Sequence, residues 1–576
     1  MDKEGGDRVA RRWGDRGFTG ALRAVHWMAS PVIQAHLNRL ATGRADCDWL
    51  TWAAYHHIAP LPGEKTCLVL GCGDGWLERA LAAYPFIARI EASDFAPAIV
   101  EQAAARAREA GLDRIIAYRV LDLNADALPE EAYSVIVAHS VLHHIENLEH
   151  AMVQLARALK PGGLLLINEY VGPPRFQFGA EQMALVNAVM ECLPNRYRWS
   201  GLTGALYKRK EVPSAEFMEA TDPSEAVRSD ELPGWIARYF QVVQEVPLGG
   251  TILHHLLYDI VQNFDPDDGH DASILRLACF LEERLVGAGR LPSDFLLMVA
   301  RKGPPGRPSP AHTAPPPPRP PVRPLRSVPS FLRLILPAVQ RPGLEVEARR
   351  RALHRLATGD PQCPWITWVL HRYLHREGLR VLILRDPTGW LAGHVRGHAM
   401  RPIVSTAGGR IPRSDGPFDL VLSNGALGLH PDPDRLLDAV LDLLAPGAVL
   451  VGEEQVERIP DDGVWRELAA LLPAGQRPGR GPLGSIRLGV QGGRCPDLVL
   501  RVGSRMALEV TRPYGGAVVE PLLARMGPPP RKDDARACAV WGMIGLIEEV
   551  LTEHGLVPSP FVCFTARKPG PDAAMP

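Results

Sequence analysis

No C-x-x-C pair occurs among the nine cysteines, which are scattered singly along the chain. Disulfide frameworks and structural zinc both need clustered thiols, so neither is expected, and the reducing cytoplasm is the expected compartment. No apolar run reaches about 18 residues, so no segment is expected to span a bilayer. The stretch FLRLILPAV, residues 331–339, is apolar but far too short. The opening residues MDKEGGDRVARRWGDRG contain no apolar signal core and do not read as a secretory signal. Excess charge of either sign is also missing: 64 Lys and Arg face 65 Asp and Glu, for a net charge of −1. That removes the global electrostatic case for nucleic acid or an anionic membrane as partner. Lysine is scarce, about eight of those 64 cations, a bias that suits a GC-rich bacterial genome more than a function. No His, Cys or carboxylate cluster has metal-ligand spacing, so a metal-free site is expected.

What the chain does have is length, proline and repetition. At 576 residues it exceeds one ordinary domain. Residues 303–328 are so rich in Pro that neither helix nor sheet is expected there. Pro fixes φ and lacks the backbone donor, so the segment reads as an extended, semi-rigid linker. The phrase RLATGRADCDWLTW (39–52) recurs as RLATGDPQCPWITW (355–368), with nine of fourteen positions identical. Further echoes follow in the same order. Residues 133–169, YSVIVAHSVLHHIENLEHAMVQLARALKPGGLLLINE, align without a gap on 418–454, FDLVLSNGALGLHPDPDRLLDAVLDLLAPGAVLVGEE. LPSDFLLMVARK (291–302) matches VPSPFVCFTARK (557–568). Collinear matches along both halves predict duplication of a whole domain.

In the first half, TCLVLGCGDGW is a short apolar strand entering a glycine turn, and LERALAAY has helical spacing. Gly71, Gly73 and Gly75 allow a tight turn and close approach of a ligand to the backbone. The spacing is G-x-G-x-G, one residue short of the dinucleotide fingerprint, which speaks against a nucleotide-dependent oxidoreductase. A second strand ends in Asp94, placed to accept ribose hydroxyls. A third ends in Asp122, a fourth runs to VLHHI, and LKPGGLLLINEY is a turn and a fifth strand.

In this set (glycine loop, Asp94, Asp122, HHI after the fourth strand, LKPGG) residues 64–172 resemble class I S-adenosylmethionine-dependent methyltransferases, of the type 11/12 kind. The resemblance implies an α/β fold: two doubly wound, Rossmann-like domains, each a seven-stranded, mostly parallel sheet with helices on both faces. It divides the chain into an N-terminal helical segment (1–63), a methyltransferase domain (64–302) with a helical lid over 174–240, the linker, and a degenerate copy (329–576). S-adenosyl-L-methionine is the implied cofactor. Gly71, Cys72, Gly73, Asp74 and Gly75 would line its methionine and ribose parts. Asp94 and Phe95 would hold the ribose, Asp122 and Leu123 would frame the adenine, and His139 would lie alongside.

Methyl transfer asks mainly for orientation and exclusion of water, with a base for an oxygen acceptor. Glu169, Tyr170 and His143 are the catalytic candidates, at the carboxyl ends of strands five and four. A carboxylate after a buried strand is costly unless paired, so Glu169 is either a functional group or bonded to a structural partner such as Arg175. His144 reads as a packing residue. Asp222 is expected to cap a helix beginning at Pro223. Arg228, His254 and His255 could reach the acceptor cavity, but each alone reads first as a surface or packing residue. The acceptor is expected to be a small molecule.

The second half reads differently at the same positions. Arg385, Asp386 and Pro387 replace Gly71, Cys72 and Gly73, and Ser405 or Thr406 stands near the position of Asp94. Gly428 and Leu429 replace His143 and His144, while Glu454 matches Glu169. This half is expected to be non-catalytic, structural or regulatory, and an intramolecular pseudo-dimer is one arrangement the duplication allows. Trp49, Trp52, Trp365 and Trp368 read as packing residues, because the half without a glycine loop keeps them. The rival to a methyltransferase is a non-catalytic S-adenosylmethionine-binding scaffold.

Overall fold

The computed structural model describes residues 24–303 without a break, and parts of 379–570. The chain divides into two compact units, Met1–Leu325 and Arg326–Pro576. Residues 304–378, with most of the Pro-rich segment, Trp365 and Trp368, lie outside the described residues, as do Arg385 to Gly389, Ser405, Thr406, Gly428 and Leu429. No helix among the described residues is long and apolar enough to cross a membrane.

The first unit is built on seven strands: β1 Lys65–Leu70, β2 Ile87–Asp94, β3 Ile116–Val120, β4 Tyr133–His139, β5 Leu159–Tyr170, β6 Gln241–Gly249 and β7 Phe295–Arg301. Their order is β3-β2-β1-β4-β5-β7-β6. Strands β1 to β5 pair in parallel, and β7 runs antiparallel to both β5 and β6. The strand sequences are continuous apolar runs because both faces of the sheet are covered. Cys67, Val69, Val135 and Val137 pack on one face and Leu68, Leu70, Ile136 and Ala138 on the other. The chain reverses its winding between β1 and β4, so the carboxyl ends of these neighbours form the crevice where open sheets of this kind bind ligands.

The helices are α1 Pro31–Thr42, α2 Trp49–Ala53, α3 Trp76–Ala82, α4 Pro97–Glu109, α5 Leu148–Ala158, α6 Ala180–Cys192, α7 Ala215–Thr221, α8 Leu232–Tyr239, α9 Leu253–Leu257 and α10 Gly269–Gly287. The first copy of the repeated phrase, 39–52, runs from the last turn of α1 into α2: Asp48 Oδ1 accepts the Thr51 N–H at 2.9 Å, and Trp49 and Trp52 pack against the sheet. The segment 174–240 is partly helical, and its last helix packs in the core. In α8, Leu232 and Ile236, with Phe240 just beyond it, belong to the core under the sheet alongside α5. Asp222 caps no helix at Pro223. Its Oδ1 accepts the N–H and hydroxyl of Ser224 at 2.9 and 2.7 Å, closing a turn instead.

The second unit has six described strands rather than the expected seven: β8 Arg380–Leu384, β9 Arg401–Val404, β10 Phe418–Asn424, β11 Leu444–Gln455, β12 Ala507–Pro513 and β13 Phe561–Arg567. Their order, β9-β8-β10-β11-β13-β12, is that of the first sheet without β3. The likeness extends to register. Tyr133 pairs with Leu159 and Leu164 with Arg301, while Phe418 pairs with Leu444 and Val449 with Arg567. It extends also to single hydrogen bonds. Arg301 Nη1 donates to Gly162 O at 3.0 Å and Arg567 Nη1 to Gly447 O at 2.9 Å. Lys302 Nζ reaches Leu159 O at 2.6 Å and Lys568 Nζ reaches Leu444 O at 2.8 Å. Glu282 of α10 accepts the Ile252 N–H, and Glu548 accepts the Val518 N–H at 2.7 Å.

Candidate active site

β1 ends at Leu70, and the chain turns through Gly71, Gly73 and Gly75 at φ 60°, 52° and 82°. A Cβ on Gly71 would lie 2.6 Å from Val141 Cγ2, beside the end of β4. A Cβ on Gly73 would meet nothing within 4 Å. There the backbone conformation alone calls for Gly, and the space beside it is open to a ligand. The Cys72 N–H ties the loop to β2 through Ser93 O at 2.8 Å. Asp74 Oδ1 accepts the Trp76 N–H at 3.3 Å, and its carbonyl receives Arg79 and Arg106 at 2.8 and 3.0 Å.

Asp94 closes this turn from the end of β2. Its Oδ2 accepts the Gly73 N–H and its Oδ1 the Ala96 N–H, both at 3.1 Å. Burial pushes its carboxyl up, partly opposed by those amides. Each oxygen keeps a further lone pair for a hydroxyl. Phe95 follows, half-buried. Asp122 and Leu123 follow β3 at the same edge, Leu123 buried and Asp122 Oδ1 accepting the Asn124 N–H at 2.9 Å. His139 ends β4 with its ring centroid 5.6 Å from Trp49 and 5.4 Å from Trp76. Its Nδ1 is buried without a hydrogen-bond partner. All the residues predicted to line a cofactor thus lie along the carboxyl ends of β1 to β4.

Behind the glycine loop, Glu78 is fully buried and accepts the Tyr118 hydroxyl at 2.8 Å through Oε1. Burial pushes its carboxyl up to about 7. The folded value exceeds the unfolded one, so this group's contribution to stability is complete below about pH 4.5 and is lost as pH rises through 7. Glu78→Gln mimics the protonated form. It is expected to stabilise the first unit by about 1–3 kcal/mol above pH 7 and by little below pH 5. Denaturant unfolding of both proteins across that range checks it; a difference that does not change with pH would contradict the assignment.

The predicted catalytic residues meet, but each is already engaged. Glu169 is fully buried. Its Oε1 accepts the Val141 and Leu142 N–H groups at 2.7 and 2.9 Å, and its Oε2 meets His143 Nδ1 at 2.8 Å. The expected partner, Arg175, donates instead to the carbonyls of Asp222, Pro223 and Glu225, the shortest at 2.6 Å. Burial would discharge His143, but its hydrogen bonds to the Glu169 and Glu225 carboxylates outweigh it and push the imidazole up to about 10. Held as a cation, it has no lone pair for a proton. The Tyr170 hydroxyl donates to Pro173 O at 2.9 Å, and burial pushes the phenol well above its ordinary value. None of the three is poised as a general base.

Of the residues that could have reached an acceptor cavity, Arg228 is taken by Glu149 and Glu231 at 2.8 and 2.6 Å, as a surface residue would be. His254 does lie inward, among the rings of Phe176, Phe295 and Tyr170 at 5.5, 5.3 and 6.0 Å. His255 packs on Phe178 at 4.8 Å. Glu225 was not among the sequence candidates. It lies in the turn after α7, 3.5 Å from His143 Nε2. Nothing in its local sequence signals that position.

Residues 68–167 match the family model of a methyltransferase domain. The matched stretch runs from β1 into β5 and holds every residue of the glycine loop and of the β2 and β3 ends. A demethylmenaquinone methyltransferase of Thermus thermophilus is 32% identical over 145 residues, 25% of this chain and 63% of that protein. A ubiquinone biosynthesis O-methyltransferase of Methylobacterium is 28% identical over 162 residues, 27% of this chain and 58% of that protein. The chain spans less than two thirds of the length of these curated relatives. Among solved structures, an S-adenosylmethionine-dependent methyltransferase from Mesorhizobium loti aligns at 20% identity over 44% of this chain and 97% of its own, with a TM-score of 0.27.

Proposed function

We propose that the first unit binds S-adenosylmethionine and transfers its methyl group to a small-molecule acceptor. The observation that carries this reading is the glycine turn closed by Asp94, inside the segment that matches a methyltransferase domain. The residues fit the cofactor: open space beside Gly73, two carboxylate oxygens at Asp94 with lone pairs to spare, and an unpartnered Nδ1 on His139 between two indoles. Asp94 would hold the ribose hydroxyls, and Asp122 with Leu123 would frame the adenine. When bound, the cofactor supplies an electrophilic sulfonium methyl.

The chain's own part is orientation and exclusion of water. Tyr170, Phe176, Phe178, His254 and Phe295 pack ring against ring beyond β5, a cluster that would suit an apolar, ring-bearing acceptor beside it. The two relatives, a demethylmenaquinone methyltransferase and a ubiquinone biosynthesis O-methyltransferase, are named for acceptors of that kind. With Glu169, Tyr170 and His143 all engaged, acceptor activation is assigned to none of them.

The second unit is read as a duplicate that keeps the fold and has lost the cofactor loop. Shared strand order, register and hydrogen bonds support duplication, and Arg385, Asp386 and Pro387 at the loop support the loss. The second reading, a binding protein without turnover, draws on the engagement of Glu169, Tyr170 and His143, none of which is poised as a base. Calorimetric titration with S-adenosylhomocysteine tests the binding claim, with one site per chain expected.

A further inference from the structure

Two imidazoles and a carboxylate converge just past the end of β4. His143 Nε2 lies 3.5 Å from Glu225 Oε1, and His144 Nε2 lies 4.0 Å from Glu225 Oε2. One ligand-type atom from each of the three residues falls within 4.8 Å of the others. The remaining ring nitrogens are engaged elsewhere. His143 Nδ1 meets Glu169 Oε2 at 2.8 Å, and His144 Nδ1 meets Ser224 Oγ at 3.1 Å.

Hydrogen-bond bookkeeping then decides what faces inward. Ser224 gives its hydroxyl proton to Asp222 Oδ1 at 2.7 Å, so its oxygen accepts from His144 Nδ1–H. Glu169 accepts only, so His143 also carries a proton on Nδ1. In their neutral forms both rings turn an Nε2 lone pair toward the Glu225 carboxylate. A cation bound there would take the place of the second His143 proton, which otherwise lets the imidazolium donate to Glu225 as well as to Glu169.

We propose that His143, His144 and Glu225 form a binding site for one divalent transition-metal cation. Two imidazoles and one carboxylate, with coordination positions to spare, suit such an ion. Two ligands each about 2.1 Å from zinc in tetrahedral geometry lie roughly 3.4 Å apart, close to the 3.5 and 4.0 Å separations found here. The surroundings match too. A ligating His usually passes its other N–H to a carboxylate or similar acceptor that is itself held in place. Glu169 is fixed by two backbone amides and Ser224 by Asp222. The two segments are also tied directly, through the Val227 N–H and His143 O at 3.1 Å. The site lies on the same sheet edge as the glycine loop but shares no residue with it, so it stands or falls independently of cofactor binding.

The test is titration of the metal-stripped full chain with Zn2+ by calorimetry and with Co2+ by visible absorption. One cation per chain is expected, with affinity reduced by about 100-fold or more in Glu225→Gln, as for loss of a metal ligand. His56→Ala/His57→Ala, which alters a histidine pair outside the site, is expected to bind as the unchanged protein does. X-ray absorption of the zinc-loaded unchanged chain supplies a readout that needs no variant, with two imidazole nitrogens expected. Failure to bind either ion, binding unaffected by Glu225→Gln, or fewer than two imidazoles would overturn the proposal. The cluster would then be a His143 imidazolium bridging Glu169 and Glu225.

Discussion

Asp94→Ala is expected to weaken S-adenosylhomocysteine binding by about two to three orders of magnitude. Hydrogen bonds to a charged group contribute about 1.5–3 kcal/mol each, so two hydroxyl contacts taken at the low end of that range, since both share one carboxylate, remove about 3–4 kcal/mol, at 1.4 kcal/mol per tenfold. A second effect adds to the first. Asp94 also fixes the Gly73 amide, so the empty position leaves the turn less organised before any ligand arrives. Asp94→Asn keeps the shape and one acceptor oxygen, and its loss should be smaller. Calorimetry on the three proteins checks the order; equal affinities would remove Asp94 from the site.

Glu169→Ala is expected to cost the first unit about 3–5 kcal/mol of stability, the range for breaking a buried pair and stranding its partner. The substitution leaves His143 and two backbone amides without their acceptor. Glu454→Ala is expected to act similarly on the second unit, where Glu454 is equally buried, accepts the Leu427 N–H at 3.3 Å and meets Ser423 Oγ. Unfolding curves measured for each variant test this. Full stability in Glu169→Ala would return the residue to the list of catalytic candidates.

The same comparison shows what the sequence makes legible. Gapless alignment of 133–169 on 418–454 anticipates the register of β4 on β5 and of β10 on β11, because a bulged parallel pair leaves little freedom once both faces are buried. The glycine turn and the carboxylates at strand ends are readable for a similar reason: strand, turn and helix are contiguous, and their geometry is local. Partners across the fold are not. Arg175 is six residues from Glu169 and looks like its counter-ion, yet the chain at Arg175 and Phe176 takes positive φ and turns the guanidinium toward the 222–225 turn. His143 wins because it follows β4, whose end is locked beside β5 by parallel pairing. Glu225 is illegible for the opposite reason. It lies in an irregular turn whose placement depends on Asp222, Ser224 and Arg175 together. Nor is the packing of α8 in the core legible, because apolar spacing alone does not say which sheet face a helix covers.

The first unit is proposed to hold the one working cofactor site. Calorimetric titration of the full-length chain with S-adenosylhomocysteine tests this, with a stoichiometry of one per chain expected. No binding would contradict the assignment of the glycine turn and Asp94, and a stoichiometry of two would contradict the proposed loss of the cofactor loop in the second unit.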